Sequence, residues 1–236
     1  MLTRWTIIDL ETCTAPDALP FMPPIEADGR LTDPVKIAAD IEKKKAAFID
    51  RGGLDPDFCQ IVCAGIREHD GTEHILVATN PAQEAAILER VWRSVNRTCP
   101  MLGFGLVWFD AGVLVRRSQL LGVKVPSDIY RQAKYRHDMI VDLSDYLTVN
   151  GLIDFKPEQR KGRGLDFYCK RFGIEVEDAH DGADVAALWK AGNIEAIKAH
   201  CAADILRIRL LAEDLGVIAP FVSDALVQPL EEAGAF

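Results

Sequence analysis

The feature that most constrains this chain is the short run RWTIIDL at residues 4–10, with two acids, Asp9 and Glu11, at its end. It is β-branched and apolar, and too short for a buried helix, so it reads as a buried strand. Side chains at i and i+2 of a strand share one face, which puts the two carboxylates side by side. Such a pair repels unless a cation lies between them. Hard oxygen donors of this kind suit magnesium or manganese. Taken alone, the pair says little, because strand ends often carry solvated acids.

The rest of the chain predicts an α/β layered domain with a mixed sheet. Pro16, Pro20, Pro23 and Pro24 predict a long loop without regular structure over 14–33. Asp33-Pro34 then opens a helix, PVKIAADIEKKKAAFIDR, stopped by Gly52-Gly53, with Val35, Ile37, Ala38, Ile41 and Phe48 on one face. Strands are expected at 58–67 and 74–79 around the turn His69-Asp70-Gly71, and at 100–106. Helices are expected from Pro81 to Arg97 and from Phe109 to Leu121, with Gly122 as the stop. Three more follow at 164–173, 181–191 and 193–215. The reading is one domain over 1–236, with 14–57 an insertion after the first strand and 216–236 a tail. Because the insertion leaves beside Asp9 and Glu11, it is expected to serve as a lid or strand guide.

Composition removes some classes. No stretch approaches the roughly 18 apolar residues of a membrane span. The N-terminal apolar run is too short for a signal peptide and meets acids at once. Six scattered cysteines form no CxxC pair. In FCQIVCAGI, Cys59 and Cys63 are expected on one strand face, as buried thiols, with a zinc site the weaker alternative. Unpaired thiols predict a reducing, cytoplasmic compartment. The net charge of −9 argues against a nonspecific nucleic-acid binder. That argument weakens if some acids are metal ligands, and a local basic cluster, Lys156, Arg160, Lys161, Arg163, Lys170 and Arg171, runs the other way. The glycines of KGRG, just before a helix start, would offer amides to a phosphate.

Three more residues join the two acids. Asp110 begins a helix after an apolar strand, in GFGLVWFDAGVL. By itself it is an ordinary helix-start acid. Asp204 lies on the edge of the stripe Ile194, Ile197, Cys201, Ile205, Ile208 and Leu211, with His200 one turn before and Arg207 one turn after. Arg207 would supply a plain ion pair. Imidazole titrates near about pH 6.5, so His200 is the candidate to orient or deprotonate a water.

Order and texture together say more than each item. IIDLET resembles the first motif of the DEDD exonuclease superfamily, GFGLVWFDAGVLVRR its second and HCAAD its third. From Arg4 to about Leu215 the chain is similar to phage-type predicted 3′–5′ exonucleases related to the exonuclease domain of family B DNA polymerases. The segments KGRGLDFYCKRFGI and DPVKIAADIEKKKAAFID share that likeness. Two departures stand out. Gly105 occupies a place where the second motif commonly has Asn. His200 precedes Asp204 at the spacing of the tyrosine subfamily, with a histidine in the slot.

The resemblance implies a ribonuclease H-like mixed sheet flanked by helices and a metal-dependent 3′–5′ exonuclease. It implies two Mg2+ or Mn2+ ions, with Asp9 shared by both, Glu11 and Asp204 completing one site and Asp110 holding the other. The expected substrate is the 3′ end of DNA, single-stranded, released as nucleoside 5′-monophosphates. Thr12, Trp108, Arg116, Lys161 and Arg163 are the candidate nucleic-acid contacts. Arg117 is a further candidate beside Arg116, and Phe104 is expected to pack in the core. The other readings are an RNA 3′-end trimmer and an inactive nucleic-acid-binding module; the presence of all four acids weighs against the second.

Overall fold

The computed structural model describes residues 1–131, 139–148 and 163–220. A five-stranded sheet runs through its middle in the order β3-β2-β1-β4-β5. Strands β1 (Thr6–Thr14), β2 (Cys59–Glu68) and β3 (Glu73–Val77) pair antiparallel. Strands β4 (Met101–Gly103) and β5 (Ile140–Asp142) run parallel to β1. The ribonuclease H-like arrangement expected from the resemblance is therefore the observed one.

The helices divide between the two faces because successive strand residues point opposite ways. Helices α2 (Pro81–Ser94) and α3 (Asp110–Leu120) cover the face bearing Ile8, Leu10, Ile61 and Ile66. The long helix α7 (Ile194–Asp214) covers the face bearing Trp5, Ile7 and Leu102. Its apolar stripe is the predicted one, with Ile197, Cys201, Ile205, Ile208 and Leu211 buried. Gly65 of β2 lets it close in, since a β-carbon there would run into Ile205 and Cys201. Short helices α4 (Leu143–Leu147), α5 (Leu165–Arg171) and α6 (Val185–Lys190) are others among the described residues. Among the described residues no helix is long and apolar enough to cross a membrane.

Helix α1 (Pro34–Arg51) begins and ends where its caps predict. Asp33 accepts a hydrogen bond from the Val35 N–H at 2.9 Å, and Pro34 needs no donor in the first turn. Its apolar face is only half used. Ile37, Ile41 and Phe48 are half-buried, but Val35 and Ala38 are exposed. The reason is anchorage at one end: Phe48 meets Phe58 edge-on with ring centres 5.0 Å apart, and Thr12 Oγ1 donates to the Gly53 carbonyl at 2.6 Å. The proline-rich segment is also not wholly irregular, because Pro16–Phe21 forms a 3-10 helix with proline in its first turn. Strand β1 runs on to Thr14, α2 stops at Ser94, and β4 is cut to three residues. Strand β5 and α4 lie where no element was expected. Of the expected tail, Val217 and Ile218 are buried, Leu2 pairs with Ile218, and 221–236 fall outside the described residues.

One expectation is overturned. Cys59 and Cys63 point to opposite faces, Cys59 into the α2–α3 core and Cys63 toward α7. The pairing of β1 with β2 slips between Glu11 and Thr12, from Glu11–Cys63 to Thr12–Ile61, leaving Val62 as an extra residue. A bulge of this kind breaks the alternation, so Val62 and Cys63 both leave the face that Ile61 occupies. All six cysteines are free and buried, Cys59 and Cys63 among them.

Candidate metal centre

Three elements bring the acids to one end of the sheet. Strand β1 carries Asp9 and Glu11 on the face that α7 covers, and the bulge of β2 lies opposite the step from Glu11 to Thr12. Helix α7 supplies His200 and Asp204. Ligand atoms of Glu11, His200 and Asp204 lie within 4.8 Å of one another, as do those of Asp9, Glu11 and Cys201. Donors about 2.0–2.2 Å from a cation stand at most about 4.4 Å apart, and His200 Nε2 lies 3.7 Å from Glu11 Oε1 and 3.8 Å from Asp204 Oδ2, a spacing that suits one ion.

Asp110 arrives from the third element. It heads α3, is 7% exposed, and lies close enough to β1 for the Leu10 N–H to favour its ionised form. The loop before it is shaped by Asp142 at the end of β5. That buried carboxylate accepts the N–H groups of Gly105 at 2.8 Å and Val107 at 2.9 Å, and the Ser144 hydroxyl at 2.8 Å. Gly105 has φ +76°, a left-handed conformation that glycine and asparagine tolerate best. Its standing in an asparagine position is therefore accounted for by the backbone rather than by a lost side-chain bond.

Charge is concentrated here at a cost. Burial raises the Asp9 carboxyl well above its usual range, and Glu11, Asp204 and Asp110 raise it further. Glu11 is pushed up to about 7, by burial first, with Asp204 and Asp178 adding to it and His200 opposing. Asp110 is also pushed up to about 7, by burial first and then by Asp142 and Glu11, against two backbone N–H groups. These are carboxylates that need a cation to ionise comfortably at neutral pH.

A pH dependence follows. Unfolded, Glu11 and Asp110 titrate near about 4. A carboxyl whose folded value is raised stabilises the fold fully below its unfolded value and loses that contribution as pH rises through the folded one. Without divalent ions the melting temperature is expected to fall as pH is raised from about 5 to about 8, through the values near 7 of Glu11 and Asp110. Saturating Mn2+ should cancel that fall by binding the ionised forms. Thermal melts in EDTA and in Mn2+ across this range check it; parallel profiles would count against a cation site.

The remaining expected residues fall in different places. Trp108, two residues before Asp110, is 68% exposed. Arg116 is exposed and pairs with Asp57, while Arg163 is half-buried. Thr12 spends its hydroxyl on Gly53. Lys156, Arg160 and Lys161 lie outside the described residues. Phe104 packs in the core against Tyr168, with ring centres 5.9 Å apart. Arg117 is not available to a strand, because it is 3% exposed and locked to Glu84. The plain ion pair expected for Asp204 exists, with Arg207 Nη1 donating to its Oδ1 at 2.6 Å.

Two residues escaped the sequence reading. Asp142 and Asp178 carry no spacing signal for the site, since Gly105 and Val107, and His200 and Arg207, reach them only after distant segments fold together. Asp178 accepts from His200 Nδ1 at 2.8 Å, from Arg207 Nη1 at 2.8 Å and from the His180 N–H at 3.1 Å. Burial works to raise its carboxyl, but these bonds outweigh it and hold Asp178 below the usual range. Beside this network a cleft of about 510 Å³ is lined by Gly164, Lys170, Asp181, His200, Asp204 and Arg207 among others.

No curated protein matches the chain. The family B DNA polymerase of the hyperthermophilic archaeon Pyrobaculum calidifontis is similar in fold, with a TM-score of 0.54 at 17% identity. The match takes in 91% of this chain and 25% of the polymerase, so the chain spans about a quarter of that protein's length. A family model described as a predicted 3′-5′ exonuclease related to the exonuclease domain of PolB matches residues 56–211. That span is more than half of the chain and contains Asp110, His200 and Asp204, while Asp9 and Glu11 lie ahead of it. By this match the chain belongs to the family of predicted 3′–5′ exonucleases related to the PolB exonuclease domain.

Proposed function

We propose that the protein is a two-metal-ion 3′–5′ exonuclease that shortens single-stranded DNA from its 3′ end and releases nucleoside 5′-monophosphates. One observation carries the reading: acids from three separate elements converge at one end of the sheet, three of them with strongly raised pKa values. A fold does not gather such charge for stability, since each ionisation there is unfavourable until a cation compensates it. Family membership supports an exonuclease reaction, and the similar structure's being a DNA polymerase favours DNA over RNA.

In this reading Asp9, Glu11, Asp110 and Asp204 would hold two Mg2+ or Mn2+ ions, with Asp9 a ligand of both, Glu11 and Asp204 completing one site and Asp110 serving the other. Two such ions supply a nucleophile at neutral pH and neutralise the leaving 3′-oxygen. The chain's own groups do the positioning. Arg207 takes one oxygen of Asp204 and leaves Oδ2 facing the cluster. Trp108, exposed beside Asp110, offers a face on which a terminal base can stack. Arg116, Arg163 and Lys161 draw the phosphates in, with Thr12 at the edge of the first motif.

A 5′-labelled single strand tests this directly. With Mg2+ or Mn2+ the label is expected in a ladder shortening from the 3′ end, and EDTA should leave the strand intact. Release of a labelled mononucleotide at the earliest times, or no cleavage with any divalent ion, would refute it. A matched RNA strand in the same assay reports the preference between sugars.

A further inference from the structure

We propose that His200 is a protein ligand of the centre, holding through Nε2 the cation between Glu11 and Asp204, and that Asp178 is the positioning residue that makes it one. This rests on the cation-site reading above and assigns His200 to the ion itself rather than to a water's proton.

The geometry is specific. His200 and Asp178 have side chains 4% and 3% exposed, and Nδ1 lies 2.8 Å from Asp178 Oδ2. An ionised carboxylate only accepts hydrogen bonds, so Nδ1 carries the hydrogen and donates it. In the neutral ring that a bound cation requires, the lone pair is then on Nε2, at the opposite side. Nε2 lies 3.7 Å from Glu11 Oε1 and 3.8 Å from Asp204 Oδ2. Both distances are too long for a hydrogen bond. They match the separation of two ligands on one ion, about 2.8–4.3 Å for donors about 2.0–2.15 Å from the metal.

Asp178 reaches the second half of the site as well. It accepts from Arg207 Nη1, and the same Nη1 donates to Asp204 Oδ1. One buried carboxylate therefore orients a ligand histidine and the arginine that holds a ligand aspartate. A carboxylate behind a metal-bound imidazole is a recurrent arrangement, and it fixes both ring orientation and the donor atom. An imidazole in an otherwise all-oxygen site moves its preference from Mg2+ toward Mn2+.

Pulsed electron paramagnetic resonance on the full chain loaded with Mn2+ tests the assignment without any turnover. The expected spectrum shows nitrogen coupling from a directly bound imidazole. That coupling should vanish in His200→Gln, while the carboxylates still bind Mn2+. Asp178→Asn should weaken Mn2+ binding by about 10–100-fold, the usual effect of removing a ligand's supporting group. It should weaken Mg2+ binding less. Mn2+ bound without nitrogen coupling in the parent protein would overturn the proposal and leave the carboxylate centre standing. Unchanged Mn2+ affinity in Asp178→Asn would remove Asp178 from the role. A parent protein that binds no Mn2+ would overturn the cation-site reading together with this one.

Discussion

Asp9→Asn is expected to lower the rate of strand shortening by ~10³-fold or more, while the metal-free protein melts higher than its parent near pH 8. The two effects have one cause. Burial raises the Asp9 carboxyl, and so do Glu11, Asp204 and Asp110, which means it sits within reach of every other acid of the centre. In the metal-free protein this is repulsion, and an amide removes it. Under the proposed function the same position would make Asp9 a ligand of both ions. Stabilisation of transition-state charge by such ions amounts to several kcal/mol, and each ~1.4 kcal/mol is a factor of ten in rate. Kinetics at saturating Mg2+ and melts in EDTA measure the two halves separately. A variant with near-parent turnover would remove Asp9 from the centre, whatever its melting temperature.

Arg117→Met is expected to destabilise the fold by about 3–5 kcal/mol, because it leaves a buried carboxylate without its counter-charge. Arg117 and Glu84 are each 3% exposed and meet in a two-pronged pair, Nε to Oε1 at 2.7 Å and Nη2 to Oε2 at 2.8 Å. Glu84 Oε1 also accepts the Ile61 N–H at 2.9 Å, next to the bulge in β2. The pair thus braces α2, α3 and the point where β2 shifts register opposite Glu11 and Thr12. For a chain of this size the loss corresponds to a fall of roughly 6–20 °C in melting temperature. The double variant Glu84→Gln, Arg117→Met should regain most of it, since no buried charge remains and the amide oxygen still accepts from Ile61. Thermal melts of the three variants settle it. An Arg117→Met protein within about 1 kcal/mol of its parent would show that Glu84 finds another partner.

Parts of this arrangement were legible because they depend on neighbours in sequence. Asp33-Pro34 and Gly52 bounded α1 correctly, since a cap is a bond between residues two or three apart. The period of α7 showed which side of that helix is buried and put His200 and Asp204 on its edge. Strand alternation put Asp9 and Glu11 on one face, and it held because the bulge begins only after Glu11. The same alternation failed for Cys59 and Cys63, where one extra residue, Val62, reversed the faces. A bulge depends on the partner strand, so the strand's own sequence does not announce it.

By itself, then, the sequence determined most of the elements, because those follow from bonds and periodicities within one or two turns, and its likeness to the exonuclease motifs picked out the four candidate acids. Tertiary structure alone decided what stands behind those acids. Asp178 reaches His200 across 22 residues, Asp142 reaches Gly105 across 37, and Glu84 reaches Arg117 across 33. An isolated acid on a loop looks solvated in any local reading. It becomes a supporting group only when folding removes water around it, and a buried carboxylate must then take its hydrogen bonds from whatever the fold has brought beside it.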